Sequence, residues 1–212
     1  MRRFVGFAGL ALLVGRILAP SAARAQAEHD DYTRLGAHFA LGLAGDAEVN
    51  AEGLETVWGL DPTLGFGARL ERPVHPFVVL GGLFEMLAFD PDGRSDTQWI
   101  FDFDLSVRVR ALVEIDTAVY LEPYAGLPVG FTLGYLFDPG DLLGDGQSVW
   151  PGWNIGAMGG LGLVVEGFSA YVEVGWRHHQ VYSEVDTAFG SADWKTVTNQ
   201  LAIRAGAALL LE

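Results

Sequence analysis

One segment limits the fold more than any other. From Trp99 to Val113, the residues Trp99, Phe101, Phe103, Leu105, Val107, Val109, Ala111 and Val113 share one parity. Ile100, Asp102, Asp104, Ser106, Arg108, Arg110 and Leu112 share the other. Successive side chains of a strand point to opposite faces, so this period-two pattern predicts a strand with one apolar and one polar face. The run far exceeds the roughly five or six residues of an ordinary globular strand. It matches the length needed to cross a bilayer at a tilt.

The next segment repeats the pattern. Val119, Leu121, Pro123, Ala125, Leu127, Val129, Phe131, Leu133 and Tyr135 form the apolar face, opposite Tyr120, Glu122, Tyr124, Gly126, Gly130, Thr132 and Gly134. Pro123 and Pro128 lack the N–H that a ladder uses, and bulges are expected to absorb them. Six further segments are similar: 34–43, 60–72, 76–89, 152–165, 168–182 and 195–211. Pro76–Phe89 is apolar on both faces, so its register is the least defined. Short connections at 72–76, 114–117 and 166–167 alternate with long ones near 44–59, 90–96, 138–151 and 183–194. Short turns at one end and long loops at the other predict an all-β, antiparallel up-and-down transmembrane β-barrel of about eight strands.

The N-terminus reads as an export signal. Arg2 and Arg3 precede the apolar stretch Phe4–Val14, and Ala23-Arg24-Ala25 has the small-x-small form of a cleavage site. The expected organisation is a cleaved signal peptide over 1–25 and a barrel domain over 26–212. Arg16 interrupts the apolar stretch and leaves it too short for a membrane-spanning helix. The whole chain has a formal charge of −14, and removing four signal arginines leaves nine basic against 27 acidic residues, a net −18. Such acidity makes nucleic acid a poor partner. The chain has no cysteine, which excludes disulfides, thiolate metal sites and a lipidated N-terminal cysteine.

Alternation alone does not say which face is outside, because a soluble barrel keeps its apolar face inside and a membrane barrel turns it to lipid. Three features favour lipid. The polar face carries Gly126, Gly130, Gly134, Gly156, Gly160, Gly162 and Gly206, which suit a crowded narrow lumen. The apolar face carries Trp99, Phe101, Tyr135, Phe137, Trp153 and Trp176, which fit an aromatic girdle at one interface. The polar face also holds charges of both signs: Arg69, Glu85, Asp102, Asp104, Arg108, Arg110, Glu122, Glu173, Arg177 and Arg204. Unpaired, each would cost several kcal/mol in a dry interior, so a lumenal charge network is expected. A turn at 114–117 would set Arg108 opposite Glu122, with Arg110 close by.

This layout resembles the small eight-stranded outer-membrane barrels, the OmpA- and OmpX-like family, over about residues 32–212. The resemblance implies a periplasmic N-terminus, four external loops, a lumen plugged by side chains, and engagement with outer-membrane lipid and the barrel-assembly machinery. No peptidoglycan-binding domain is expected after the last strand, so the cell-wall anchoring of the larger family members is not expected. One departure is the ending Leu209-Leu210-Leu211-Glu212, where such proteins usually carry a terminal aromatic.

Reactive chemistry is sparse. His178 and His179 precede Ser183 in a way that faintly resembles the outer-membrane lipid A deacylases, but the His-x-Ser-Asn order is absent. His179 and Ser183 on one strand would stand ~13 Å apart. His178 is expected at the interface and His179 in the lumen or at its rim. Asp90, Asp92 and Asp96, and Asp138, Asp141 and Asp145, offer oxygens to a hard cation such as Ca²⁺ but lack a full calcium-loop pattern. Gly156, Gly159, Gly160 and Gly162 read as lumen packing and a bulge, not a phosphate loop. No metal or cofactor is expected. The expected function is a non-enzymatic outer-membrane barrel displaying acidic loops, adhesive or partner-binding, with an unknown extracellular partner. The alternatives are a lipid-modifying enzyme with His179 in a central role, a narrow channel, and a soluble barrel that binds a small ligand.

Overall fold

A computed structural model describes residues 32–51, 54–89, 98–136, 149–187 and 190–211. The signal region, Phe137 and the acidic groups Asp90–Asp96 and Asp138–Asp145 lie outside these residues. Ten strands follow in order: β1 Thr33–Ala51, β2 Leu54–Gly59, β3 Thr63–His75, β4 Val78–Phe89, β5 Gln98–Arg110, β6 Val113–Asp116, β7 Val119–Leu136, β8 Val149–Val165, β9 Phe168–Thr187 and β10 Gly190–Leu211. Eight of them make the wall, in the order β10-β9-β8-β7-β5-β4-β3-β1, and β10 pairs back onto β1 to close it. The fold is a closed antiparallel β-barrel. Closure leaves the wall without an edge, which is what a backbone surrounded by lipid requires.

β2 and β6 are continuations rather than extra wall strands. β2 pairs with the upper part of β1, Asp46 to Ala51, and β6 pairs with the start of β7. The region 44–59, expected as a loop, is therefore mostly a hairpin extension. Residues 183–187 and 190–194 are likewise paired, as the ends of β9 and β10. Three tight connections, at Pro76-Phe77, Thr117-Ala118 and Glu166-Gly167, lie at the end where Thr33 pairs with Leu211. Gly167 (φ 75°) and Ala118 (φ 59°) take left-handed backbone in two of these turns.

The strands are strongly inclined. Following partners once round from His38, through Gly67, Glu85, Asp102, Thr132, Gly152, Val181 and Thr196, returns to β1 at Val49, eleven residues further along. A closed barrel must tilt its strands by such a stagger. It brings residues far apart in sequence to one height in the lumen.

The prolines behave differently from expectation. Pro123 pairs with Leu161 in an unbroken register. Leu127 and Pro128 have no partner on β8, yet the register is the same on either side of the gap. Pro128 has no N–H to give, so the ladder loses a rung instead of inserting a residue. β8 also has no bulge at its glycines. Register shifts occur at Gly42/Ala44, Pro73/His75 and Glu114/Asp116.

Exposure settles the faces. Phe39 is 78% exposed, Leu64 68%, Leu105 73% and Leu127 60%, while the residues between them point inward. On β9 the outward series is Phe168, Ala170, Val172, Val174 and Trp176; on β10 it is Leu201 to Leu211 at alternate positions. Each spans about the ten residues expected of a strand crossing hydrocarbon. An apolar belt right round a closed barrel would be a severe defect in water and is the proper exterior in lipid.

Candidate functional site

The lumen is the chemically distinctive part of the molecule. Among the described residues it buries six arginines, Arg34, Arg69, Arg108, Arg110, Arg177 and Arg204, and six carboxylates, Glu71, Glu85, Asp102, Asp104, Glu122 and Glu173. The signs balance. All ten lumenal residues expected from the sequence face inward, and Arg34 and Glu71 join them. Glu71 was legible by parity, two residues after Arg69. Arg34 was legible as the first inward position of β1, before Gly36 and His38.

The charges sit in tiers. Nearest the short turns, Arg34 Nη1 donates to Glu122 Oε2 at 2.6 Å, and Arg110 Nη1 reaches Glu122 Oε1 at 3.5 Å. The middle tier centres on Glu173. Arg69 grips it with both terminal nitrogens at 2.9 and 3.0 Å. Arg108 Nη2 and Tyr124 Oη each donate to its Oε1 at 3.0 Å. Arg108 also meets Glu71 at 2.7 Å, and Arg204 lies 3.6 Å from Glu173. Two tyrosine faces line this tier: Arg69 stacks 3.8 Å from the Tyr171 centroid and Arg108 4.0 Å from that of Tyr124. The Tyr124 ring occupies the space that a Cβ on Gly160 would fill. That close approach is why a glycine faces it.

Arg108 is therefore not opposite Glu122. It pairs across with Gly126, because the turn lies at Thr117-Ala118 and not two residues earlier. Arg108 meets Glu71 and Glu173 instead, and Arg110 is the neighbour of Glu122.

The upper tier joins Glu85 with His38 and Arg204, and Arg177 with two aspartates. Arg177 Nη2 donates to Asp102 Oδ2 at 2.7 Å and Nη1 to Asp104 Oδ2 at 2.9 Å. Asn154 Nδ2 bonds Asp104 at 2.8 Å, and Thr132 Oγ1 donates to Asp102 at 2.6 Å. His179 Nε2 lies 2.8 Å from Asp102 Oδ2, and its Nδ1 lies 3.2 Å from Thr198 Oγ1. His179 thus gains a hydroxyl from the neighbouring strand β10, a partner hidden from single-strand reasoning. The Ser183 side chain lies outside the described residues.

A small apolar cluster lies toward each end of this interior. Leu112, Tyr120 and Val164, packed with Leu210, lie toward the short turns. Ala40, Leu87 and Ile100, packed with Leu60, lie toward the other end. Between them two small cavities of about 20 and 10 Å³ share Glu71, Arg108 and Tyr124. Each is room for about one water. Among the described residues no cluster of three or more His, Asp or Glu side chains forms a metal site.

The sequence-derived aromatic set faces outward where it is described. Trp99 pairs with Tyr135 at one end of β5 and β7, and Phe101 lies one outward position below Trp99. Trp153 and Trp176, 40% and 45% exposed, flank His178 on the outer wall.

No family model matches the chain, and no curated protein matches it in sequence. Solved structures do match. OprG, an outer membrane protein of Pseudomonas aeruginosa, aligns with a TM-score of 0.57 at 13% identity, covering 87% of this chain and 98% of its own. Neisserial surface protein A aligns at a TM-score of 0.38 and 12% identity, over 81% of this chain and 95% of its own. Ail, the attachment invasion locus protein of Yersinia pestis, aligns at 0.33 and 14%, over 83% and 98%. With its closed eight-stranded wall, its apolar exterior and its likeness to OprG, the chain has the fold of the small eight-stranded outer-membrane β-barrels.

Proposed function

We propose that the protein is a non-enzymatic scaffold of the bacterial outer membrane, which holds acidic external loops on a rigid, plugged barrel. The end bearing the tight turns and the N-terminus faces the periplasm. The opposite end presents the loops to an extracellular partner or surface. Lipid surrounds the belt, and the barrel-assembly machinery handles the chain during insertion.

One observation carries this reading: the lumen buries a charge-balanced network of six arginines and six carboxylates. Ions would have to displace these paired arginines and carboxylates, which a narrow eight-stranded barrel disfavours. Reconstituted in a planar bilayer, the protein is expected to give no conductance steps of the size of a wide porin. Steady porin-sized openings would overturn the plugged-scaffold reading.

A second reading, a lipid-modifying enzyme, has the Thr198–His179–Asp102 line in its favour. A hydroxyl, an imidazole and a carboxylate in series are the parts of an activated nucleophile. Against it, Asp102 is already bound by Arg177, Thr132 and Asn154. His179 is 1% exposed, and neither cavity reaches it. Incubation with lipopolysaccharide followed by mass analysis of the lipid separates the two. A new deacylated product would support the enzyme, and unchanged lipid the scaffold.

A further inference from the structure

Glycine weakens a strand interior unless something else needs the space beside it. At several lumenal glycines that something is protein. A Cβ on Gly160 would meet the Tyr124 ring, and one on Gly130 would meet Asp104. Gly126 and Gly162 differ. They pair across with the inward residues Arg108 and Glu122 and share their face. Yet beyond its chain neighbours a Cβ on Gly126 comes no closer than 3.5 Å to any atom, and one on Gly162 no closer than 3.4 Å. Gly126 lines the larger lumenal cavity, of about 20 Å³, and Gly162 the smaller, of about 10 Å³.

The same two cavities collect unsatisfied donors. Arg69 and Arg204 line the larger and Arg34 the smaller. All three are 4% exposed or less, and the Nε of each has no hydrogen-bond partner among the described residues. A guanidinium N–H only donates, and a buried donor without an acceptor is costly. Each cavity therefore calls for an acceptor. Glu71 lines both cavities, 2.7 Å from Arg108, and its carboxylate disfavours an anion there. The arginines disfavour a cation. A neutral molecule that accepts from Nε–H, donates to a carboxylate and fits so small a space is water. We infer that the lumen holds two bound waters, one seated at Gly126 against Arg69 and Arg204, the other at Gly162 against Arg34. Through Glu71, which both reach, they join the Arg34 tier to the Glu173 tier.

The test uses the folded mature protein in detergent, isotope-labelled for magnetic resonance, and reads through-space cross-peaks between arginine Nε–H protons and water. Cross-peaks of a long-lived bound water are expected at Arg34, Arg69 and Arg204. Gly126→Ala puts a methyl group into the larger cavity. It should remove the cross-peaks of Arg69 and Arg204, keep that of Arg34, and raise the unfolding equilibrium constant in urea by about tenfold. Gly162→Ala should remove the Arg34 cross-peak alone. Gly126→Ser supplies a hydroxyl oxygen in place of the water and should restore most of the lost stability. Heat-modifiable migration shows that each variant folds. Absence of all three cross-peaks from the native protein would overturn the waters. So would a Gly126→Ala protein at least as stable as the native one, the result of filling a dry space and stiffening a glycine. A Ser variant as unstable as the Ala variant would mean crowding rather than a lost acceptor, and would also overturn the site. Stability that rises when chloride replaces fluoride at constant ionic strength would put a halide there instead.

Discussion

Glu173 shows how much a single lumenal side chain can hold. It accepts from Arg69, Arg108 and Tyr124 and lies near Arg204, all at 8% exposure or less. Such a hub is worth little against a well-packed apolar interior of the same shape, but removing one member leaves the others as uncompensated buried charge. Glu173→Ala is therefore expected to destabilise the barrel by about 3–5 kcal/mol, read from urea unfolding in lipid vesicles. A loss below about 1 kcal/mol would mean that water already solvates these arginines. At this scale the sequence was informative about direction and silent about partners. Parity set Arg69, Arg108 and Glu173 facing inward. It did not pair them, because they come from β3, β5 and β9, and only the closed wall brings those strands face to face.

The wall strands differ in what they contribute. Along β9 and β10 the lumenal ends at His179 and Thr198 still take part in the network, whereas no ion pair among the described residues involves positions 46–59. The β1–β2 hairpin is a projection fixed by backbone pairing. Replacing residues 48–56 by a two-residue turn is thus expected to leave the thermal midpoint almost unchanged, by circular dichroism in detergent. A large fall would show that the hairpin braces the barrel mouth. The limits of β1 and β9 were hidden in the sequence for the same reason. Above the membrane a strand has no lipid to demand alternation, so pattern ends before pairing does. At Pro128 the opposite holds. The missing N–H was plain, but the neighbouring β5–β7 ladder runs unbroken past it and prevents the bulge that a lone proline suggests.

Taken whole, the molecule is an inverted globular protein, with charge inside and hydrocarbon outside. That inversion makes its stability depend on solvent. Leu105, 73% exposed in the middle of the belt, illustrates it. Leu105→Arg should destabilise the protein in phospholipid vesicles by about 2–4 kcal/mol, the cost of a cation at the bilayer midplane. The same change on the outside of a water-soluble barrel would be nearly neutral. A neutral result in vesicles would refute the membrane reading.

What the sequence by itself determined was the pair of faces and the length of the crossing. Both follow from a period of two, which any extended chain must obey. It also determined that the inward face would be small and charged, since glycines and ionic residues fall on one parity. Only the tertiary structure decided which charges meet, which apolar side chains cluster toward either end of the lumen, and that Thr198 stands beside His179. Those outcomes depend on the register of eight strands and on the eleven-residue stagger of closure. A shift of two residues in one turn preserves every face and gives Arg108 other partners, Glu71 and Glu173.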